Sequence, residues 1–219
     1  LDNSGLYKNR LEALKGITGF LSRRSEDYVI LCDCDGVYRM DFSDIITYHE
    51  QKQADITLVC HNEKIGNASN YTVVCTDESG RITDIEANQA GLGSSKYYSN
   101  IMVMNRTFLL NIINDAVVHG YKSFSEDILR KNIKSLKLYA YDFAGYHATI
   151  DSLSSYFTHN MELLDKNVRD ELFGNRDIYT KVRDSAPSKY GDGSEIKNSL
   201  ISDGCVVEGT VENSILFRG

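Results

Sequence analysis

The stretch YVILCDCDGVYRMDF, from Tyr28 to Phe42, decides the fold class of this chain. It opens with YVILC, an apolar run without alternation, which is typical of a strand buried on both faces of a sheet. Two acids, Asp33 and Asp35, follow the run directly. The sequence therefore predicts a buried strand that ends in carboxylates.

Two chemistries remain open at this strand end. Beginning at Asp33, the letters DCDGV match the D-x-D-G-V pattern of aspartyl-nucleophile phosphatases. Beginning at Asp35, they place a lone carboxylate where nucleotide-handling sheets hold a metal. The phosphatase hypothesis gains from Lys189 and the later Gly191-Asp192-Gly193 loop, but that loop follows a polar segment containing Pro187, which cannot be a central strand.

The rest of the chain alternates between strand and helix patterns. Apolar runs at Ile56–His61, Tyr71–Cys75 and Tyr97–Met104 predict buried strands, and the segments between them carry helical periodicity. Such alternation indicates an α/β protein with a layered sheet.

Composition narrows the functional class. The chain has 219 residues, of which 42% are hydrophobic and 25% charged, and its net charge is −7. This acidic balance argues against a nucleic-acid surface, which needs clustered Lys and Arg. No apolar run approaches the roughly 18 residues that cross a membrane. We expect a cytoplasmic protein.

The five cysteines have no paired spacing that suggests disulfides or zinc. We expect them to be reduced and buried as small apolar side chains.

The tail has a different pattern. NSLIS at Asn198–Ser202 recurs as NSILF at Asn213–Phe217, and apolar residues recur every six positions among Gly, Ser and Asn. This pattern predicts the start of a β-helix, with a β-hairpin as the alternative. The chain begins LDNSG without methionine and stops inside this pattern, so we expect a fragment.

Several segments, in order along the chain, resemble ADP-glucose pyrophosphorylases, the glucose-1-phosphate adenylyltransferases. They are ILCDCDGVYRMDF, FSEDIL, LYAYDFAGYHATIDSLSSYFTHNMELL, SAPSKY and NSLISDGCVVEG. The resemblance spans most of Tyr28 to Gly219.

This resemblance implies a fold and its domains. The fold is a nucleotidyltransferase Rossmann-like mixed sheet with helices on both faces, followed by the start of a left-handed β-helix. The α/β domain would cover 1–164, without its N-terminal part and glycine-rich ATP loop. A connection would cover 165–195, and a truncated first coil 196–219.

The resemblance also implies a reaction, in which ATP and glucose 1-phosphate give ADP-glucose and pyrophosphate. Mg²⁺ would be held by two aspartates, the first of which aligns with Asp35. The second aligns with Thr149, a neutral residue, and Asp151 lies two positions later. Along a strand that spacing is about 6.6 Å, too far for a direct substitute.

The sugar site implied by the resemblance is also incomplete. Glu86 and Ser99 match the family residues, and His147 and Asp151 are further candidates for substrate contact. Ala87 stands where the family has the lysine that binds the sugar phosphate. Gly36 stands where it has a histidine.

These losses remove charge from the phosphate and metal sites, whereas the core motifs persist. They suggest the regulatory, GlgD-type subunit of the family, of low activity or none, with a catalytic ADP-glucose pyrophosphorylase subunit as partner and a sugar phosphate as possible effector. A competent nucleotidyltransferase that uses Asp35, a shifted Asp151 and Mg²⁺ remains the alternative, and the aspartyl-nucleophile phosphatase a remote one.

Overall fold

The computed structural model of the chain describes residues 7, 9–62, 72–87, 96–174, 178–179, 181 and 184–218. Contacts divide it into two compact units. The first unit is Leu1–Cys34 with Asp41–Ala144, and the second is Asp35–Met40 with Gly145–Gly219. The domain boundaries expected at residues 164 and 195 stay predictions.

A mixed sheet forms the centre of the first unit. Among the described residues it has six strands, in the order β5-β4-β6-β3-β7, with β1 also on β6. The pair β3–β7 is parallel and the others are antiparallel. The strands are β1 (Tyr28–Leu31), β3 (Ile56–His61), β4 (Thr72–Thr76), β5 (Ile82–Ala87), β6 (Lys96–Asn105) and β7 (Leu138–Asp142).

Helices cover both faces of this sheet. Helices α1 (Arg10–Gly16), α2 (Thr18–Leu21) and α4 (Arg106–His119) share an apolar core with Ile56 and Leu58 of β3. Helix α3 (Phe42–Lys52) contacts the opposite face, where Nδ1 of His49 lies 2.8 Å from Oγ1 of Thr57. Successive strand residues point to opposite faces, so Thr57 faces away from that core. The predicted mixed α/β sheet is confirmed, but the prediction that its first strand is buried on both faces is wrong, because β1 is only partly buried and pairs with β6 alone among the described strands.

Local sequence explains several helix boundaries. Helix α3 begins after Asp41, whose side chain accepts a hydrogen bond from the amide of Ser43. Helix α4 begins after Asn105, which accepts from the amides of Thr107 and Phe108. The FSEDIL segment forms a π-helix over Phe124–Arg130.

The second unit contains a two-stranded ribbon and two helices. Strand β2 (Gly36–Tyr38) pairs antiparallel with β8 (His147–Thr149). Helix α5 (Leu153–Glu162) begins with a capping box between Ser152 and Ser155. Helix α6 (Lys166–Phe173) lies within the segment predicted to be a connection.

Short parallel strand pairs form the tail. Strand β10 (Glu195–Lys197) pairs with β13 (Thr210–Glu212), and β11 (Leu200–Ile201) pairs with β14 (Ile215–Leu216). The paired residues are 15 positions apart in both cases, as in Glu195 with Thr210 and Leu200 with Ile215. A third parallel pair joins β9 (Lys189–Tyr190) to β12 (Val206–Val207). A hairpin pairs antiparallel, so the hairpin alternative is wrong.

The phosphatase alternative is also wrong. Asp192 follows the two-residue strand β9, which pairs with β12 and not with the central sheet. It therefore does not end a buried central strand, as the magnesium loop of such a phosphatase does. Asp33, the nucleophile in that hypothesis, forms an ion pair with Arg10 of α1.

The expectation of buried cysteines is correct for Cys60 alone. Cys32, Cys34 and Cys75 are exposed, Cys205 is half-buried, and all five are free thiols. Burial raises the pKa of Cys60 to about 12. An apolar neighbourhood in sequence therefore did not predict the environment of each thiol.

In the part of the chain that the structure describes, no helix combines the length and apolar character needed to cross a membrane.

Candidate functional site

The β2–β8 ribbon carries the residues expected to bind metal. Its register places Gly36 opposite Thr149 and Tyr38 opposite His147. The amide of Ile150 donates a hydrogen bond to the backbone oxygen of Asp35 at 2.8 Å, which extends the pairing by one residue. Asp35 thus adjoins the strand end that carries Thr149.

Thr149 offers a neutral hydroxyl in this position. Asp35 and Thr149 are both partly exposed, so water and small ligands reach this end of the ribbon. A carboxylate at position 149 would give the ribbon two adjacent acids. The residue present gives it one.

Asp151 lies beyond the ribbon, at the start of α5. Its side chain is exposed, and its amide donates to Oγ of Ser155 at 3.1 Å. The amide of Ser152 donates to the same oxygen at 3.0 Å. The backbone of Asp151 is therefore fixed by the helix cap, two residues past Thr149.

His147 packs as a buried aromatic side chain. It is 8% exposed, and its ring stacks on Tyr38 with the centroids 5.9 Å apart. Burial lowers the pKa of His147, and the nearby His159 lowers it further. Its ring is therefore neutral near pH 7, and sugar contact by His147 stays a prediction.

The ring of Tyr38 lies next to Gly36, in space that a side chain at position 36 would need. A Cβ added to Gly36 would lie 2.9 Å from Cε1 of Tyr38 and 3.9 Å from Nε2 of His147. A contact of 2.9 Å requires the Tyr38 ring to move. The absence of a side chain at position 36 and the Tyr38–His147 stack are therefore linked features of this chain.

Tyr146, His159 and Glu162 connect the ribbon to α5. The hydroxyl of Tyr146 donates to Oε2 of Glu162 at 2.6 Å, and Nδ1 of His159 lies 2.8 Å from the same oxygen. Burial acts to raise the pKa of Glu162, but the hydrogen bonds from Tyr146 and His159 outweigh it and lower that pKa. This network fixes the start of β8 against the helix.

Glu86 and Ser99 belong to the first unit. Val73 of β4 is opposite both Glu86 of β5 and Tyr97 of β6, and Tyr97 is in turn opposite His61 of β3. Residues directly opposite each other in a sheet share a face. Glu86, Tyr97 and His61 therefore lie on one face, and the hydrogen bond between His61 and Ser99 places Ser99 on it too.

Lys96, at the start of β6, forms an ion pair within the first unit. Nζ of Lys96 donates to a carboxylate oxygen of Asp142 at 2.6 Å. Asp142 is opposite Cys60 in the β3–β7 pair. The charge of Lys96 is thus balanced within the protein.

Magnesium fits the ribbon poorly. Mg²⁺ is usually held through one or two carboxylates together with substrate phosphates. Asp35 supplies one carboxylate, and within the described ranges no group of three or more His, Cys, Asp or Glu is arranged to hold a metal. Any remaining affinity for Mg²⁺ would depend on phosphate oxygens supplied by a bound substrate.

A family model described as nucleotidyl transferase matches residues 3–166. The chain belongs to this family. The match includes the central sheet, the β2–β8 ribbon and both groups of candidate residues.

Named relatives of this chain give a narrower assignment within the family. A glucose-1-phosphate adenylyltransferase of Thermotoga maritima is 33% identical over 225 residues, which cover 99% of this chain and 52% of the relative. One of Thermosipho melanesiensis is 30% identical over 219 residues, covering 97% and 52%. The glycogen biosynthesis protein GlgD of Bacillus subtilis is 34% identical over 178 residues, covering 81% and 50%.

The resemblance to glucose-1-phosphate adenylyltransferases and to the GlgD type is therefore confirmed. The chain spans about half the length of these relatives.

One buried polar residue that the sequence did not single out is His61. It ends an otherwise apolar buried strand and is 5% exposed. A polar side chain at the end of such a run was the available signal, because a buried polar group needs a partner.

Proposed function

We propose that this chain is part of a GlgD-type subunit of glycogen biosynthesis, which has little or no catalytic activity and modulates a catalytic relative. The supporting observation is the pairing of the ribbon. Thr149 lies opposite Gly36 and next to Asp35, where the resemblance expects the second metal carboxylate.

The expected reaction depends strongly on that carboxylate. In phosphoryl and nucleotidyl transfer, catalysis comes mainly from positioning and from metal ions that neutralise charge on the phosphates. One carboxylate and one hydroxyl attract Mg²⁺ less than two carboxylates, and they fix its position less well. Mg²⁺ therefore enters this proposal as a weakly held ion.

The sugar phosphate also loses a partner. Ala87 ends β5 at the position of the family's lysine. A hydrogen bond to a charged group contributes about 1.5–3 kcal/mol. About 1.4 kcal/mol corresponds to a tenfold change in rate. We therefore expect this loss and the missing carboxylate together to lower the rate of ADP-glucose formation by several orders of magnitude.

The competent-enzyme alternative requires Asp151 to replace Thr149. A two-residue shift of β8 would break the Gly36–Thr149 pairing and the Ile150–Asp35 hydrogen bond. It would also detach Asp151 from the cap of α5. The observed register therefore favours the low-activity proposal.

We further propose that the tail is the first part of a left-handed β-helix. Three short strands, β9 to β11, are each followed by a parallel partner, β12 to β14. Two turns with left-handed asparagines, Asn198 and Asn213, are stacked, and Nδ2 of Asn198 donates to Oδ1 of Asn213 at 2.8 Å. Stacked coils of this kind are stable only with neighbours.

The names of the relatives, glucose-1-phosphate adenylyltransferase and glycogen biosynthesis protein GlgD, support a role in glycogen biosynthesis. We propose a catalytic glucose-1-phosphate adenylyltransferase as partner, a sugar phosphate as effector and the cytoplasm as location.

The test uses the full-length protein, alone and mixed with a catalytic relative from the same organism. ADP-glucose formation is measured with Mg²⁺, and gel filtration reports assembly. We expect low activity alone, a mixed oligomer, and a changed KM or effector response in the mixture. The catalytic subunit at the same total protein concentration is the control. Turnover by the full-length protein alone at the level of the relative would contradict the proposal.

A further inference from the structure

His61 and Ser99 form a hydrogen-bonded pair at the end of β3. Nδ1 of His61 lies 2.9 Å from Oγ of Ser99. His61 is 5% exposed, and its ring also contacts Tyr97, with the centroids 5.9 Å apart. Ser99 is half-buried. A buried imidazole therefore holds a hydroxyl that remains partly accessible.

A bulge in β6 places Ser99 in this position. Leu58 is opposite Met102 and Cys60 is opposite Tyr98, so three residues of β6 face the single residue Val59. Asn100, the middle one, has a φ of 57°, in the left-handed region. Bulges are frequent next to functional sites, where they redirect a side chain.

The redirected hydroxyl lies on the face that carries Glu86. Three strand spacings separate His61 from Glu86 in the row through Tyr97 and Val73, roughly 14 Å at about 4.8 Å per strand. Ser99 lies beside this row, two residues from Tyr97 along β6 and within hydrogen-bond distance of His61. Ser99 and Glu86 thus offer a hydroxyl and a carboxylate on one face of the sheet, and both groups can form hydrogen bonds with a ligand that carries several hydroxyl groups.

We propose that His61 is a positioning residue that orients the hydroxyl of Ser99 toward a hexose of a sugar phosphate or sugar nucleotide. When Nδ1 accepts a hydrogen bond from the Ser99 hydroxyl, the lone pairs of Oγ accept from a sugar hydroxyl. When Nδ1 carries a proton, it donates to Oγ and the serine hydroxyl donates to the ligand. This inference rests on the sugar-binding part of the proposed function, but not on the regulatory role.

The experiment is calorimetric titration of the full-length protein with glucose 1-phosphate and with ADP-glucose. We expect His61→Ala and Ser99→Ala each to weaken binding about three- to tenfold, the effect of one hydrogen bond. The double variant should bind as weakly as Ser99→Ala alone, because His61 acts through Ser99. His61→Asn should restore most of the affinity, since its amide reaches the position of Nδ1.

His49 provides the matched control. It is also a buried histidine with Nδ1 2.8 Å from a strand hydroxyl, that of Thr57. We expect His49→Ala to lower thermal stability as His61→Ala does, and to leave the affinity unchanged. Equal affinity losses in both variants would show a general loss of structure and would overturn the inference.

The two proposals fail in different ways. The role of His61 is overturned if the protein binds neither ligand, or if wild type and the His61→Ala variant bind them equally well. If the protein still modulates its partner in that case, the regulatory function stands. A protein whose affinity follows His61 and Ser99, but which changes no partner's kinetics, supports the inference and contradicts the regulatory function.

Discussion

Gly36 lies directly opposite Thr149 in the β2–β8 ribbon, and the next residue on each strand, Asp35 and Ile150, is joined by a backbone hydrogen bond of 2.8 Å. This relationship positions a threonine beside the candidate metal aspartate. It also identifies position 149 as the place where a restored carboxylate would adjoin Asp35.

Restoring charge should increase ADP-glucose formation. We expect Thr149→Asp combined with Ala87→Lys, in the full-length protein, to raise the rate at least about tenfold, since about 1.4 kcal/mol suffices. The assay is Mg²⁺-dependent ADP-glucose synthesis. Thr149→Asn with Ala87→Lys is the control, because it keeps the size of the side chain without its charge. A gain of equal size in the control would mean that the carboxylate is not the cause.

The five thiols should react at different rates. We expect a chromogenic disulfide reagent to label Cys32 and Cys34 fast and Cys205 more slowly, because their exposure differs. Burial, with the acids Asp84 and Glu86, raises the pKa of Cys75, so its thiolate is scarcer and its labelling slower than exposure alone suggests. Cys60 should react only after unfolding.

Mass spectrometry of labelled peptides distinguishes the sites. A denatured sample is the control in which all five react. Labelling of Cys60 in the native protein at the rate of Cys32 would contradict the buried position of β3.

Acid should destabilise the protein through its buried histidines. Burial lowers the pKa of His49 below its ordinary 6.5, although Glu50 and Asp55 act in the opposite direction. The unfolded state therefore binds more protons, so the stability from neutral His49 is present above about pH 6.5 and is lost as the pH falls through the folded pKa. Thermal unfolding between about pH 7.5 and about pH 5 measures this loss.

The variant His49→Asn isolates this contribution. Asparagine keeps a polar atom near Oγ1 of Thr57 but does not titrate in this range. We expect a smaller fall in Tm with acid than in wild type, with a remainder that includes His147, whose pKa is also lowered by burial. An unchanged dependence on pH would exclude His49 as a source of it.

The bulge of β6 should tolerate glycine better than alanine. Asn100 has a φ of 57°. For an alanine this conformation costs roughly 1–2 kcal/mol, whereas glycine adopts it freely. We expect Asn100→Ala to lower the free energy of unfolding by about 1 kcal/mol relative to Asn100→Gly in urea titrations. Equal stability of the two variants would argue against a left-handed residue at this position.

Sequence and structure contributed differently to the site. The apolar run before Asp33 and the alternation of strands and helices predicted the sheet, because apolar runs of this length mark strands whatever their partners. The run itself, β1, is only partly buried, since among the described strands it pairs with β6 alone. Asp35 could be placed at a strand end for the same reason. Sequence did not reveal the pair of His61 with Ser99, since these residues are 38 positions apart and meet only through the bulge.

The tail shows the same division. Its sequence determined short strands with turns between them, because small and polar residues interrupt apolar ones at regular intervals. The six-residue spacing did not determine which strands pair. That was decided by tertiary contacts, which join residues 15 positions apart in two of the three pairs and stack Asn213 on Asn198.

The sequence by itself determined that this chain has an α/β sheet, two aspartates after the predicted β1 strand and a threonine at position 149. These are local properties, because side-chain polarity and periodicity fix which segments are buried. Only the tertiary structure decided that Asp35 adjoins the strand end of Thr149, that Asp151 belongs to a helix cap, and which thiols are exposed. The ribbon pairing and the exposure of the thiols depend on residues brought together from distant parts of the chain, and no local pattern specifies such contacts. The cap of α5 joins near neighbours, and the structure shows that it holds the backbone of Asp151.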